Sequence, residues 1–210
     1  MSSTFSLSKN STNDEIKETA FQLLKKIRNV ALATINKNKP SVRIVVIAYI
    51  KDDTIYFMTA HGKPMYRQLK KNPYISIVGK AEEDITVRVE GKVKFMEDKQ
   101  FLLDLIKGHE GMYAEKTDIL EMFYMESGNG EIFDLTKRAP RRLFFTFGDS
   151  KPKKQGYYVT DECNNCGICL DTCVTGALSK RDTFVIDSYR CLSCGRCAQK
   201  CPKKAIKFKE

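Results

Sequence analysis

The residues of this chain best suited to chemistry are its eight cysteines. All of them fall in two runs of one spacing, Cys163-x2-Cys166-x2-Cys169-x3-Cys173 and Cys191-x2-Cys194-x2-Cys197-x3-Cys201-Pro202. Iron clusters are held by soft, electron-donating thiolates, and C-x2-C steps let one loop wrap several corners of a cube. The whole run recurs at an offset of 28 residues, with Gly167 and Ala177 repeated as Gly195 and Ala205. Structural zinc also takes four cysteines, but zinc ribbons and fingers present two separated C-x2-4-C pairs rather than three cysteines at steps of three. Disulfide frameworks belong to secreted chains. The opening Met-Ser-Ser-Thr has no basic segment followed by an apolar stretch, so free thiols and a cytoplasmic location are expected.

The paired runs resemble bacterial two-cluster ferredoxins, in which three close cysteines grip one cluster and the fourth reaches the other. The resemblance implies two [4Fe–4S] clusters. One falls on Cys163, Cys166, Cys169 and Cys201, the other on Cys191, Cys194, Cys197 and Cys173. Pro202 follows Cys201, but Val174 follows Cys173. That departure bears on solvent access and hydrogen bonding around the second cluster, and so on its potential; it removes no ligand.

The cysteines claim only the last quarter of 210 residues, which leaves room for a second domain. The polar stretch Gly148-Asp-Ser-Lys-Pro-Lys-Lys-Gln-Gly156 reads as a linker, giving domains 1–147 and 157–210 with 148–156 between them. The longest uncharged apolar run, Ile44 to Ile50, is far short of the roughly 20 residues a membrane span needs. The formal charge is +10. Two oxidised clusters with their thiolates at about −2 each bring this to about +6, so much of the excess is internal compensation. Lys200, Lys203, Lys204, Lys207 and Lys209 form a basic C-terminal strip, either plain solvated surface or a docking face for an acidic electron donor or a substrate anion. No helix-turn-helix, zinc finger or RNP-type motif accompanies the charge, so no nucleic-acid partner is expected.

The elements that must position these groups begin with a helix. Thr12 and Glu15 make a capping box, and Ile16, Ala20, Leu23, Leu24 and Ile27 repeat at helical spacing. Strands follow at Val30–Ile35, Ser41–Ile50 and Thr54–Thr59 as an antiparallel meander, then a helix at Lys63–Lys71 and strands at Tyr74–Val78 and Ile85–Met96. A helix at Asp98–Lys107, a hairpin turning at Asn129-Gly130 and a strand at Leu143–Phe147 complete the first domain. Six or seven short strands with few helices predict a mainly β domain, a small closed or split barrel, ahead of a small α+β cluster domain.

Arg43-Ile-Val-Val-Ile-Ala48, Ile55-Tyr-Phe-Met-Thr59, Asn72-Pro73 and Val87-Arg-Val-Glu-Gly-Lys92 resemble the successive blocks of the pyridoxamine 5′-phosphate oxidase-like family, the FMN-binding split barrel. The likeness extends over about residues 15–147. The Thr59–Leu69 stretch is most similar to the nitroimidazole-resistance-like flavoproteins of anaerobes, some of which carry a C-terminal ferredoxin domain. The resemblance implies FMN at a homodimer interface. Arg43 matches the arginine near the FMN phosphate, Ile44, Val45 and Val46 lie on the strand lining the ring, and Met58 and Thr59 match the end of the next strand. The family's phosphate-binding lysine falls at Met65, a departure for which Lys63, at a helix opening that favours anions, is the natural substitute. Arg67 and Arg88 are further phosphate candidates. His61 is placed to hydrogen-bond the flavin or supply a proton, or is incidental; His109 carries no assignment. The oxidase branch ends in a tryptophan-containing segment with Arg-Leu-x-Pro. This chain has no tryptophan, and Arg142-Leu143 is followed by Phe144-Phe145, which speaks against that activity.

Clusters pass single electrons and flavin can deliver two as hydride, so the two together imply a reductase. In this reading a ferredoxin-like donor loads the clusters, the clusters load FMN, and the flavin reduces a small organic acceptor: a nitro compound, quinone or free flavin. No catalytic side chain is demanded. Two alternatives stand beside it, a non-catalytic electron carrier or redox sensor, and a barrel holding haem or a deazaflavin in place of FMN.

Overall fold

The computed structural model describes residues 6–81, 84–106, 117–136, 140–153 and 155–209. Helix α1 (Asn13–Ile27) opens on the expected capping box: the Thr12 hydroxyl accepts from the Glu15 N–H, and the Glu15 carboxylate accepts from the Thr12 N–H. Its apolar stripe, Ile16, Ala20, Leu23 and Leu24, is buried.

Among the described residues nine strands form one antiparallel sheet: β1 (Asn29–Asn36), β2 (Lys39–Lys51), β3 (Thr54–Ala60), β4 (Tyr74–Lys80), β5 (Ile85–Lys92), β6 (Lys94–Phe95), β7 (Leu120–Met125), β8 (Gly128–Asp134) and β9 (Arg141–Phe147). Their order is β6-β7-β3-β2-β1-β4-β5-β8-β9. The sheet curls into a half-barrel around one core that joins Phe57 and Phe123 from one side to Phe145 and Phe147 from the other, with α1 laid inside the curl. There Phe21 meets the rings of Phe145 and Phe147 edge-on. Alternation sets the faces: Val30, Leu32 and Thr34 of β1 and Ile85, Val87 and Val89 of β5 point inward. Helices α2 (Pro64–Lys71) and α3 (Lys99–Ile106) flank the sheet. Lys107, the last residue of the predicted helix, and His109 lie outside the described residues.

Strand β2 is the pivot. Lys39 to Val46 pair with β1, whereas Ile47 to Lys51 pair with β3, and the register shifts at a bulge between Ile47 and Tyr49.

Two expectations are corrected. The sheet has nine strands rather than six or seven, in part because Ile85–Met96 breaks at Val93 into β5, which pairs with β4 and β8, and β6, which pairs with β7. Asn129-Gly130 is not a hairpin turn: both residues lie within β8, and β7 and β8 pair with different strands. Gly130 is there for close approach. A Cβ on it would meet the Phe145 ring at 2.1 Å.

After β9 the chain reaches β10 (Gly156–Val159), α4 (Ile168–Thr172), β11 (Leu178–Lys180), β12 (Phe184–Ile186), α5 (Arg196–Lys200) and β13 (Ile206–Lys209). β10 pairs with β13, so the two ends of this module close on each other; β11 pairs with β12. The repeated Gly167 and Gly195 precede α4 and α5 at φ of 83° and 75°, a conformation that glycine enters without strain. No described helix is long and apolar enough to cross a membrane.

Candidate functional site: two thiol-ringed cavities and a split sheet

The thiols gather in two small cavities. Cys163, Cys166, Cys169 and Cys201 line one; Cys191, Cys194, Cys197 and Cys173 line the other. Helices α4 and α5 pack together, so the residue ending each, Cys173 or Cys201, serves the cavity built by the other run. Donors already surround the sulfurs. The Ala177 N–H donates to Cys173 Sγ at 3.3 Å, the Ala205 N–H to Cys201 Sγ at 3.3 Å and the Ser193 N–H to Cys191 Sγ at 3.4 Å. Burial pushes the Cys169 and Cys197 thiols up, and the neighbouring thiols add to it. At Cys173 burial is also the largest influence and acts upward, but the Thr175 hydroxyl and the N–H groups of Thr175, Ala177 and Leu178 together hold that thiol below its ordinary value. Among the described residues no group of three or more His, Cys, Asp or Glu closes on a single metal ion. Four sulfurs set around a space, with N–H groups aimed at them, fit a polynuclear iron–sulfur group.

The second feature is the split in the sheet. The ladder between β2 and β3 ends at Ile47–Phe57. Beyond it, Arg43 to Val46 pair only with β1, and Met58 to Ala60 only with β7. Among the described residues, then, no strand pairs with the inner edges of these segments, and their backbone groups are open to a ligand. Ile44 and Val46 are 68% and 49% exposed on the outer face, while Val45 faces the core. Thr59 is 3% exposed, and among the described residues its hydroxyl has no hydrogen-bond partner. An unpaired buried hydroxyl costs about 1–3 kcal/mol, which a ligand accepting or donating there would relieve.

The charged candidates separate into two groups. Arg43 is half-buried on the inner face and braced: Nη1 donates to Thr34 Oγ1 at 2.6 Å, and Nη2 to Ser41 Oγ at 2.6 Å and Gln68 Oε1 at 2.8 Å. Burial lowers its pKa from the usual arginine value. Gln68 also accepts from Thr34 at 2.6 Å, so β1, β2 and α2 are tied through one polar knot. Lys63 is the exposed N-cap of α2, and Arg67 folds back to donate to the Gly62 carbonyl at 3.1 Å. His61 is exposed in the same turn. Met65, where the resemblance expects a lysine, is buried in the core. Helix α2 therefore gathers Arg43, Lys63 and Arg67. Arg88 is not among them: it lies on β5, three strands from β2 or roughly 14 Å along the sheet, on the outer face beside Glu131.

Comparison with known proteins fits this geometry. The family profile described as "Pyridoxamine 5'-phosphate oxidase" matches residues 16–133, just over half of the chain. The chain belongs to that family. A second profile, the 4Fe-4S dicluster domain, matches residues 162–205. The half-barrel superposes on a NimC/NimA family protein of Clostridium acetobutylicum with TM-score 0.56 at 20% identity, covering 62% of this chain and 92% of that one. It also superposes on a pyridoxamine 5′-phosphate oxidase-related, FMN-binding protein of Nostoc punctiforme with TM-score 0.51 at 13% identity, covering 67% and 93%. The C-terminal module is 38% identical over 56 residues to a ferredoxin of Chlorobaculum thiosulfatiphilum, covering 23% of this chain and 92% of that protein. It is 35% identical over 68 residues to pyruvate synthase subunit PorD of Methanothermobacter marburgensis, covering 29% and 82%. This member of the oxidase-like family thus joins a flavin-binding domain to an iron–sulfur ferredoxin domain.

Sequence reading missed the knot of Thr34, Ser41 and Gln68. Its signal was present: Thr34 continues the inward series Val30, Leu32, and Gln68 sits between the buried Met65 and Leu69 of α2.

Proposed function

We propose that this protein is an iron–sulfur flavoprotein reductase that passes electrons from two [4Fe–4S] clusters to FMN for reduction of a small organic acceptor such as a nitro compound, quinone or free flavin. A ferredoxin-like donor would supply the electrons. The observation that carries the reading is a single chain in which an oxidase-family split barrel and a two-cavity thiol module are in direct contact. Tyr189 of the thiol module packs against the barrel core, and Arg142 of β9 bonds to the Cys191–Ser193 loop. The division of labour runs 1–147, 148–156 and 157–210, with the eight cysteines holding the clusters in the two sets that line the cavities.

On the barrel, the open edges of Arg43–Val46 and Met58–Thr59 bind the ring, and Lys63 and Arg67 meet the phosphate. Arg43 positions α2 through Gln68 and adds positive potential. A flavin held there supplies hydride and single-electron chemistry. The protein's own part is to orient it and shield it from water, and no proton-transferring side chain is required. The outer face of β2, β1 and β4 exposes Val42, Ile44, Val46, Ile35, Tyr74 and Val78. A contiguous apolar patch of this kind marks an interaction surface, and we assign it to a second copy of this chain, which completes the flavin cleft.

The deciding experiment is anaerobic purification with iron, labile-sulfide and extracted-cofactor analysis, followed by mixing dithionite-reduced protein with nitroaromatic and quinone acceptors. The reading expects about eight iron and eight sulfides per chain, FMN by mass, and acceptor-dependent reoxidation of both centres. Zinc without sulfide would overturn the cluster assignment. FMN that reoxidises no acceptor would make the protein a carrier or sensor, and haem or a deazaflavin by mass would displace FMN.

A further inference from the structure

The two cysteine runs repeat in sequence, yet their surroundings differ. Asn165 and Ser193 are equivalent positions, and both hold a left-handed backbone, φ 59° and 53°. Asparagine enters that region readily, whereas serine needs outside support. Ser193 has it. From the barrel, Arg142 Nη1 donates to Ser193 Oγ at 2.9 Å and to the Cys191 carbonyl at 3.3 Å. The Ser193 N–H in turn donates to Cys191 Sγ at 3.4 Å. Arg142 is itself fixed on three sides: Nε donates to Glu131 Oε1 at 2.5 Å, its guanidinium lies 5.0 Å over the Phe144 ring, and its backbone N–H donates to the Tyr189 carbonyl at 2.9 Å. Both members of the Arg142–Glu131 pair are largely buried. In the first run, by contrast, the thiol of Cys163 donates to the exposed Asn165 Oδ1 at 4.0 Å, and among the described residues no barrel side chain bonds to the Cys163–Asn165 loop.

We infer that Arg142 is a positioning residue for the second cluster. It makes the cavity of Cys191, Cys194, Cys197 and Cys173 the one that faces the barrel, and together with Glu131 it sets the potential of the cluster held there relative to the first. The inference rests on the cluster reading above. Cluster potentials respond to net charge and to hydrogen bonds at the sulfurs. Losing Arg142 removes a positive charge, leaves Glu131 facing, among the described residues, only the more distant, exposed Arg88 at 3.9 Å, and releases the Ser193 loop whose N–H donates to Cys191 Sγ. All three changes disfavour the reduced, more negative form. Losing Glu131 instead leaves the arginine charge in place and favours that form.

The test is anaerobic potentiometry of the reconstituted holoprotein followed by electron paramagnetic resonance, with Cys166→Ser used to mark which wave belongs to the first cluster. Arg142→Gln is expected to move the second cluster's midpoint to more negative potential, Glu131→Gln to more positive, and Arg142→Lys to recover part of the loss. The first cluster's midpoint should stay fixed throughout. Glu131→Gln keeps the arginine and carries the test whether or not Arg142→Gln folds. A purely structural brace would not give opposite signs. Full clusters with unchanged midpoints, or both midpoints moving together, overturn the inference alone, whereas wild-type protein without labile sulfide overturns the cluster reading and the inference with it.

Discussion

At the scale of single residues, burial decides which cations can serve a ligand. Arg43 is tied to Thr34, Ser41 and Gln68, so its truncation breaks a brace as well as removing a charge. Lys63 is exposed, and its side chain makes no cap hydrogen bond to α2. Lys63→Ala is therefore expected to weaken FMN binding roughly ten- to a hundredfold, the worth of one charge-assisted contact, and to leave riboflavin binding nearly unchanged. Arg43→Ala should weaken both flavins. Titration of the apo-protein with the two flavins checks this, and equal losses at Lys63 would move the phosphate site to Arg67. Asp134 makes a second residue-scale case. It is fully buried, accepts from the Thr136 hydroxyl and N–H at 2.6 and 2.8 Å, and is paired with Arg141. Burial is the largest influence and raises its pKa, but these donors outweigh it and hold the carboxyl below its ordinary range. A depressed folded pKa gives stability that is present above the unfolded value of about 4 and is lost as pH falls through the folded one. Asp134→Asn should cost about 3–5 kcal/mol at neutral pH by removing the charged member of a buried ion pair, and should flatten the fall in urea midpoint below about pH 4.

At the scale of elements, close packing governs what the turn signals mean. Asn129-Gly130 reads locally as a hairpin, yet Gly130 lies under the Phe145 ring in mid-strand. Gly130→Ala should destabilise the barrel by about 1–3 kcal/mol through overpacking, visible as a lowered Tm, and Phe145→Leu in the same chain should recover part of it. The short helices α4 and α5 carry the other element-scale prediction. Cys173 belongs to the first run but lines the second cavity. Cys173→Ser is therefore expected to disable the second cluster in the resonance spectrum and spare the first, and the reverse outcome would uncross the wiring.

At the scale of the whole molecule, the face of β2, β1 and β4 leaves Val42, Ile44, Val46, Ile35, Tyr74 and Val78 exposed together. Light scattering should show a dimer, and Ile44→Lys, a charge placed in the middle of that face, should give a monomer that also loses flavin. A wild-type monomer holding FMN tightly would refute the shared cleft. The exchange of Cys173 and Cys201 between the two cavities needs α4 and α5 packed together, but the amino-acid sequence alone carried the iron–sulfur chemistry, because ligand type and spacing are local properties. It also determined α1 with its cap and the inward series of β1 and β5, because period and capping are written within a few residues. Four features became visible with the folded chain: β2 changes partner at Ile47, Asn129-Gly130 is strand, Arg88 stands apart from the α2 cations, and Arg142 reaches the Cys191 loop. Each depends on which distant segments the curl of the sheet and the docking of the second module bring within hydrogen-bonding or packing distance, and no local pattern encodes that.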